Sequence, residues 1–189
     1  MERKQSTRLS NMKRYKRVNQ LGFVVPDMED GMKKYGEIYK IKKWYRPVNE
    51  PQGELFFEGK PFQDPRYDMA IGYCGKTEIE LITVGDVDNL YSRFLKINPN
   101  GGLHHISFFV KDLAKWIEEY KALGFEVTQN GVVNGKHSKC YFAYMTKKGD
   151  NLGCIVEGAE LRLGKMRLKS RNAFSLKLGL LTKDTIKLN

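Results

Sequence analysis

The chain repeats itself, and no other feature of the sequence restricts its fold as strongly. Displaced by 85 residues, Leu21-Gly22-Phe23-Val24-Val25-Pro26-Asp27-Met28 lies over Ile106-Ser107-Phe108-Phe109-Val110-Lys111-Asp112-Leu113 without a gap. Phe23/Phe108, Val25/Val110 and Asp27/Asp112 are identical pairs, and Tyr35 later meets Tyr120. Each segment reads as a buried strand of β-branched and aromatic residues that stops at an Asp. That Asp is suited to cap a helix, because its carboxylate accepts from free N–H groups of the first turn. Helical spacing follows in both copies. Met28, Met32, Tyr35, Ile38 and Tyr39 are expected on one face, and Leu113, Trp116, Ile117, Tyr120 and Leu123 on the other copy's face. The helices should run to about Tyr39 and Leu123, with Gly124 as a C-cap.

Strand-like runs come next, at 43–47, 67–74 and 78–84 in the first half and 125–129, 139–146 and 153–158 in the second. Gly75, Asn130-Gly131, Asn134-Gly135 and Gly149-Asp150-Asn151 punctuate them as turns. Each half therefore reads β-α-β-β-β. A short helix over 88–95 precedes a linker with turn chemistry, Asn98-Pro99-Asn100-Gly101-Gly102. The first half also has an excursion over 48–66, long enough to serve as a lid or rim. Two such half-size modules cannot each close a core. Paired, they give an α+β fold, a curved mixed sheet around a central cleft. The expected divisions are an extension over 1–17, a first module over 18–97, the linker, a second module over 103–159 and an extension over 160–189.

The charge follows these divisions. The net +11 is made of +6 in residues 1–18, +6 in residues 160–189 and −1 in the body between. A nucleic-acid face would be built into the body, so the basic tails read as solvated arms. The C-terminal tail also carries Leu161, Leu163, Met166, Leu168, Phe174, Leu176, Leu178, Leu180 and Leu181. Its alternation at Leu176-Lys177-Leu178 suits a strand better than a helix. It could cover an edge of the body, pair with another subunit in a homodimer, or remain loose. Both tails are expected to be dispensable for folding. Hydrophobic residues at 41% supply a core, yet no stretch approaches the roughly 18 apolar residues of a membrane span. The charged start, Met1 to Arg17, lacks the apolar core expected of a secretory signal. Three cysteines, Cys74, Cys140 and Cys154, have no CxxC spacing and fit reduced thiols and a cytoplasmic location.

Matched polar residues point to the chemistry. Gln20 in the first copy and His105 in the second immediately precede the apolar run of the opening strand. The last strand of each copy holds a glutamate in apolar sequence, as Ile79-Glu80-Leu81-Ile82 and Ile155-Val156-Glu157. Buried carboxylates need a partner. A divalent ion on the pseudo-two-fold axis, bound by Gln20, Glu80, His105 and Glu157, would satisfy all four. Three oxygen donors and one imidazole suit an open octahedral site rather than a closed Cys-type zinc site, and leave Zn, Co, Ni, Mn and Mg open. Strand alternation puts His104 on the opposite face from His105, as an exterior or supporting residue, and leaves His137 solvated in its loop.

The paired repeat, Ile79-Glu80-Leu81-Ile82 and Gly101-Gly102-Leu103-His104-His105-Ile106 together resemble the vicinal oxygen chelate superfamily over about residues 18–159. That group includes glyoxalases, methylmalonyl-CoA epimerases, extradiol dioxygenases and bleomycin-resistance proteins. The Gly-Gly-Leu-His-His-Ile stretch looks closest to the epimerases, whereas the Gln/Glu/His/Glu set looks like that of glyoxalases (lactoylglutathione lyases). The family's ligand positions fall on Gln20, Glu80, His105 and Glu157. The epimerases usually have a histidine where this chain has Gln20.

The resemblance implies a metal-dependent epimerase or isomerase that moves a proton next to a carbonyl through a metal-bound enolate. Glu157, as a ligand able to detach, is the first choice of base. Glu80, or one of Glu50, Glu54 and Glu58, is the second. The implied substrate is a small molecule, a CoA or glutathione thioester among the candidates, with Lys43, Arg46, Arg66 and Lys139 as rim groups. A glyoxalase-type isomerase and a non-catalytic drug-binding module are the alternatives.

Overall fold

The computed structural model describes residues 17–48, 53–62, 68–149, 153, 155–168 and 173–189. β1 (Gln20–Val24) runs through Asp27 into α1 (Met28–Tyr39). The Asp27 carboxylate accepts from the Asp30 N–H at 2.9 Å, the cap expected of it. Tyr35 is buried against Phe23, but Ile38 is 58% exposed. It stands about 80° around the helix from Met28, beyond the packed stripe. β2 (Tyr45–Pro47) follows, then β3 (Leu55–Phe57) and β4 (Lys60–Phe62) within the excursion, and β5 (Asp68–Cys74) and β6 (Thr77–Thr83). α2 (Leu90–Ile97) starts at Asn89, which forms a reciprocal capping box with Ser92.

The second module repeats the plan. β7 (Gly102–Phe109) leads through Asp112 into α3 (Leu113–Lys121), and Asp112 accepts from the Lys115 N–H at 3.0 Å. β8 (Phe125–Asn134), β9 (Ser138–Lys147) and β10 (Val156–Leu163) complete it. β11 (Met166–Leu168), α4 (Ala173–Thr182) and β12 (Thr185–Lys187) form the C-terminal segment.

The strands of the described residues join one curled mixed sheet, in the order β12-β2-β5-β6-β1-β7-β10-β9-β8-β3-β4, with β11 paired to β10. β1 is parallel to β6, β7 is parallel to β10, and β1 and β7 meet antiparallel at the centre. The halves thus mirror each other about the β1–β7 seam. α1 packs on β5 and β6, and α3 packs on β8, β9 and β10.

Asn130-Gly131, expected as a turn, lies inside β8 instead. The excursion explains it, because β3 pairs with β8 there and Leu55 stands opposite Gly131. A Cβ at Gly131 would come within 2.6 Å of the Leu55 side chain and 2.7 Å of the Glu54 carbonyl, so glycine admits the extra strand. Within the excursion, β3 and β4 therefore extend the second module's edge of the sheet.

The C-terminal segment also departs from expectation. Leu176-Lys177-Leu178 belongs to α4, not to a strand. Leu176 and Leu180, four apart on one helical face, meet Tyr45 and Ile71. β12 pairs with β2, so the segment covers the outer edge of the first module instead of lying loose. Residue 160, expected to open the tail, lies inside β10. Glu160 is 3% exposed, accepts from the Leu113 N–H at 3.0 Å and pairs with Arg162 at 2.6 Å and Arg167 at 3.2 Å. Part of the tail's positive charge is spent on this buried carboxylate. Residues 1–16 lie outside the described residues. Among the described residues no helix is long and apolar enough to cross a membrane.

Candidate functional site

Gln20, Glu80, His105 and Glu157 stand on four neighbouring strands, β1, β6, β7 and β10, and each is at most 6% exposed. The strand register makes them equivalent in pairs. Gly22 pairs with Glu80 and Ser107 pairs with Glu157, and Gly22 and Ser107 are themselves 85 residues apart. Across the seam Gln20 faces Ser107 and Gly22 faces His105.

The structure brings three of the four into one cluster. His105 Nε2 lies 3.5 Å from Glu80 Oε2 and 3.5 Å from Glu157 Oε2. Neither contact is a hydrogen bond, and this nitrogen is buried without a partner. The imidazole lies against the backbone of Gly22, where a Cβ would come within 1.9 Å of it. Gln20 lines the same cleft, but its amide nitrogen is committed to Glu78 Oε1 at 2.7 Å. Tyr73 donates to the other Glu78 oxygen at 2.5 Å. Glu78 and Glu80 share a face of β6 and both are buried, as are Ile79 and Leu81 on the other face.

His104 is not exterior. It is 3% exposed, and its Nδ1 lies 2.9 Å from Nδ1 of His105. The cause is a β-bulge. Gly22 pairs with His105 and Phe23 with Leu103, so His104 is an extra residue and strand alternation fails there. Its ring packs against Tyr91, Phe94 and Tyr144. Burial, and His105 beside it, push its pKa well below 6.5, with the Leu90 backbone opposing. His104 is therefore neutral, and within the pair one ring donates and the other accepts. If His105 donates through Nδ1, its Nε2 offers a lone pair between the two carboxylates.

Burial raises the Glu157 carboxyl above its usual 4.5, His105 opposes this, and Glu80 adds to it. The neighbouring Ser107 and Tyr144 hydroxyls pull the other way. The Tyr144 phenol is held well above 10 by burial and by the Glu157 charge, so it stays protonated, 2.8 Å from the Tyr91 hydroxyl. Tyr91, Gln129, Phe142 and Tyr144 line the cleft together with Gln20, Glu80 and Glu157. None of those four was singled out in the sequence, although the alternation of Phe142 and Tyr144 marks an inward face.

Among the described residues, no three His, Cys, Asp or Glu side chains are drawn into a ready-made metal cage. The donor chemistry nevertheless fits a divalent ion, since two buried carboxylates flank an imidazole nitrogen that has no other partner. Of the other base candidates, Glu54 is exposed, Glu58 is exposed and paired with Arg93 at 2.7 Å, and Glu50 lies outside the described residues. Among the rim candidates Arg46 is engaged by Asp68 at 2.6 Å, Lys43 and Lys139 are exposed, and Arg66 lies outside the described residues. His137 is exposed, as its loop suggests.

Residues 19–144 match the Glyoxalase/Bleomycin resistance protein/Dioxygenase superfamily. The chain belongs to this superfamily. A relative, the ethylmalonyl-CoA/methylmalonyl-CoA epimerase of Cereibacter sphaeroides, is 28% identical over 144 residues, covering 75% of this chain and 95% of its own. Methylmalonyl-CoA epimerase from Mycobacterium tuberculosis superposes with a TM-score of 0.54 at 16% identity, covering 80% of this chain and 93% of that one. A methylmalonyl-CoA epimerase from Streptomyces coelicolor, solved with 2-nitronate-propionyl-CoA, gives a TM-score of 0.54 at 19% identity, covering 76% and 95%. At these identities the structural likeness is one of fold. The family match ends at residue 144, before β10 and the C-terminal segment.

Proposed function

We propose that the protein is a metal-dependent epimerase of the methylmalonyl-CoA type, moving a proton on the carbon next to a thioester carbonyl. Gln20, Glu80, His105 and Glu157 would hold one divalent ion. Bound there, such an ion supplies Lewis-acid polarisation of the substrate carbonyl. The observation that supports this best is the placement of Glu80 and Glu157, each 3.5 Å from His105 Nε2 and each buried.

The side chains then divide the work. Glu157, buried beside the His105 imidazole, takes the α-proton. Glu80, on the other side of the imidazole, delivers a proton to the opposite face, and this inverts the centre. Phe142, Tyr91 and the protonated Tyr144 keep bulk water from the cleft while the enolate exists. The substrate in this reading is a CoA thioester, as the similarity to the Cereibacter protein suggests.

The test is deuterium wash-in from heavy water into methylmalonyl-CoA. Metal-dependent exchange should fall roughly 10²–10⁴-fold in Glu157→Gln. Exchange that survives metal removal, or is untouched in Glu157→Gln, sinks the proposal. Gln20 favours a second reading, glyoxalase-type isomerisation, in which the proton returns to the adjacent carbon. Turnover of the hemithioacetal of methylglyoxal, with none of methylmalonyl-CoA, would select it.

A further inference from the structure

The cleft beside Glu80 and Glu157 has a volume of only about 80 Å³. Small-molecule pockets commonly span about 300–1,000 Å³, so the cleft alone holds little more than a reacting group. A second cavity of about 410 Å³ adjoins it and shares Pro47, Val133, Cys140 and Leu161 with its wall. The C-terminal segment supplies the far wall of this chamber, including Leu168 and Leu176. The chamber is thus made in part by residues beyond the family match.

The two cavities lie in line along the second module. At one end of β9 and β10, Tyr144 and Ile155 pack with Leu90, Tyr91 and Phe94 of α2. At the other end, Cys140 and Leu161 open into the chamber. Its lining is mostly hydrocarbon, Lys139 on it is exposed, and two of its other charged groups have partners. Arg162 is held by Glu160 and lies over the Tyr141 ring, and Asp184 accepts from Thr182.

We infer that this chamber receives an apolar substituent on the acyl side of the substrate, several carbons long. The inference rests on the α-proton reading above and names its substrate class, a thioester with a 2-alkyl group longer than methyl. The four shared wall residues put the occupant beside the reacting centre, which makes it part of the substrate in this proposal. A CoA or glutathione carrier is polar and charged, and burying it against these leucines would strip its water without replacement. The carrier therefore leaves the cleft by another path.

Two measurements on the full chain test this. Calorimetric titration with n-alkyl carboxylates from butanoate to decanoate should show affinity rising about fourfold per methylene until the chamber is full. Deuterium wash-in into 2-alkylmalonyl thioesters should show kcat/KM climbing with alkyl length in the same way. Leu163 lines the chamber and is 45% exposed, so Leu163→Asp should fold and flatten both series. Ser138→Trp, at another exposed wall position, should flatten them by filling the space. A flat carboxylate series in the wild type overturns the chamber, as does a climb unchanged in both variants. A climbing carboxylate series with no deuterium exchange on any thioester keeps the chamber and removes the α-proton reading. Exchange on the methyl thioester with a flat carboxylate series does the reverse.

Discussion

The two modules share strand order and pairing, yet they support their inward-facing residues in opposite ways. In the first, Gln20 is tied through its amide nitrogen to Glu78, which Tyr73 also holds. In the second, His105 leans on His104 within a nest of aromatic rings, and its Nε2 is buried with no hydrogen-bond partner. One inward-facing group is tied by hydrogen bonds, and the other is left with a free ring nitrogen between two carboxylates. A symmetric scaffold can thus carry an asymmetric site, with the unmet demand on β7.

The largest effect that would break this comparison concerns Gly22 and its equivalent, Ser107. The first module needs glycine because the His105 ring occupies the space of a Cβ, at 1.9 Å. The second module tolerates serine at the matched place, where Gln20 stands across the seam. Gly22→Ser should displace the imidazole and abolish metal retention while circular dichroism stays native. Ser107→Gly should retain the metal. Equal retention in both variants would mean that the ring does not depend on Gly22.

This contrast shows which parts of the molecule were legible in the sequence. Strand, Asp cap and helix are local signals, so the repeat revealed both openings, and the four matched polar residues fell on adjacent strands. The bulge at His104 is set by pairing between β1 and β7, which strand alternation on one chain segment does not register. The burial of Glu78 depends on partners at Gln20 and Tyr73. Leu176 and Leu180 gain their reason to be helical only from Tyr45 and Ile71, more than a hundred residues earlier. Glu160 likewise reads as tail charge until α3 and two arginines close on it. Long-range partners decided each of these, and propensity is a weak prior beside them.

A smaller effect would sharpen the same contrast. His104 supports His105 from behind, as Glu78 supports Gln20. Outer groups that orient a metal-binding histidine typically contribute 10- to 100-fold to metal affinity. His104→Ala should weaken metal binding by about that factor in a competition titration, rather than leave it unchanged as an exterior residue would. His104→Asn, which keeps a polar partner for Nδ1, should recover part of the loss. Full affinity in His104→Ala would return this residue to a packing role.

The smallest expected effect is on stability against pH in the metal-free protein. Glu157 has its carboxyl raised above 4.5, mainly by burial. A carboxyl that holds its proton more tightly when folded stabilises the fold in its protonated form. That contribution is fully present below the unfolded value of about 4.5 and is lost as pH rises through the folded value. The sign is opposite to that of a salt-bridged carboxylate, which stabilises above its pKa. Glu157→Gln mimics the protonated form at every pH, so it removes this dependence. The urea midpoint of the chelated wild type, measured relative to Glu157→Gln, should therefore fall as pH is raised above 4.5. A difference that stays flat, or grows in favour of the wild type, would show that the carboxylate is already satisfied in the folded chain. The second module would then carry no more unmet demand than the first.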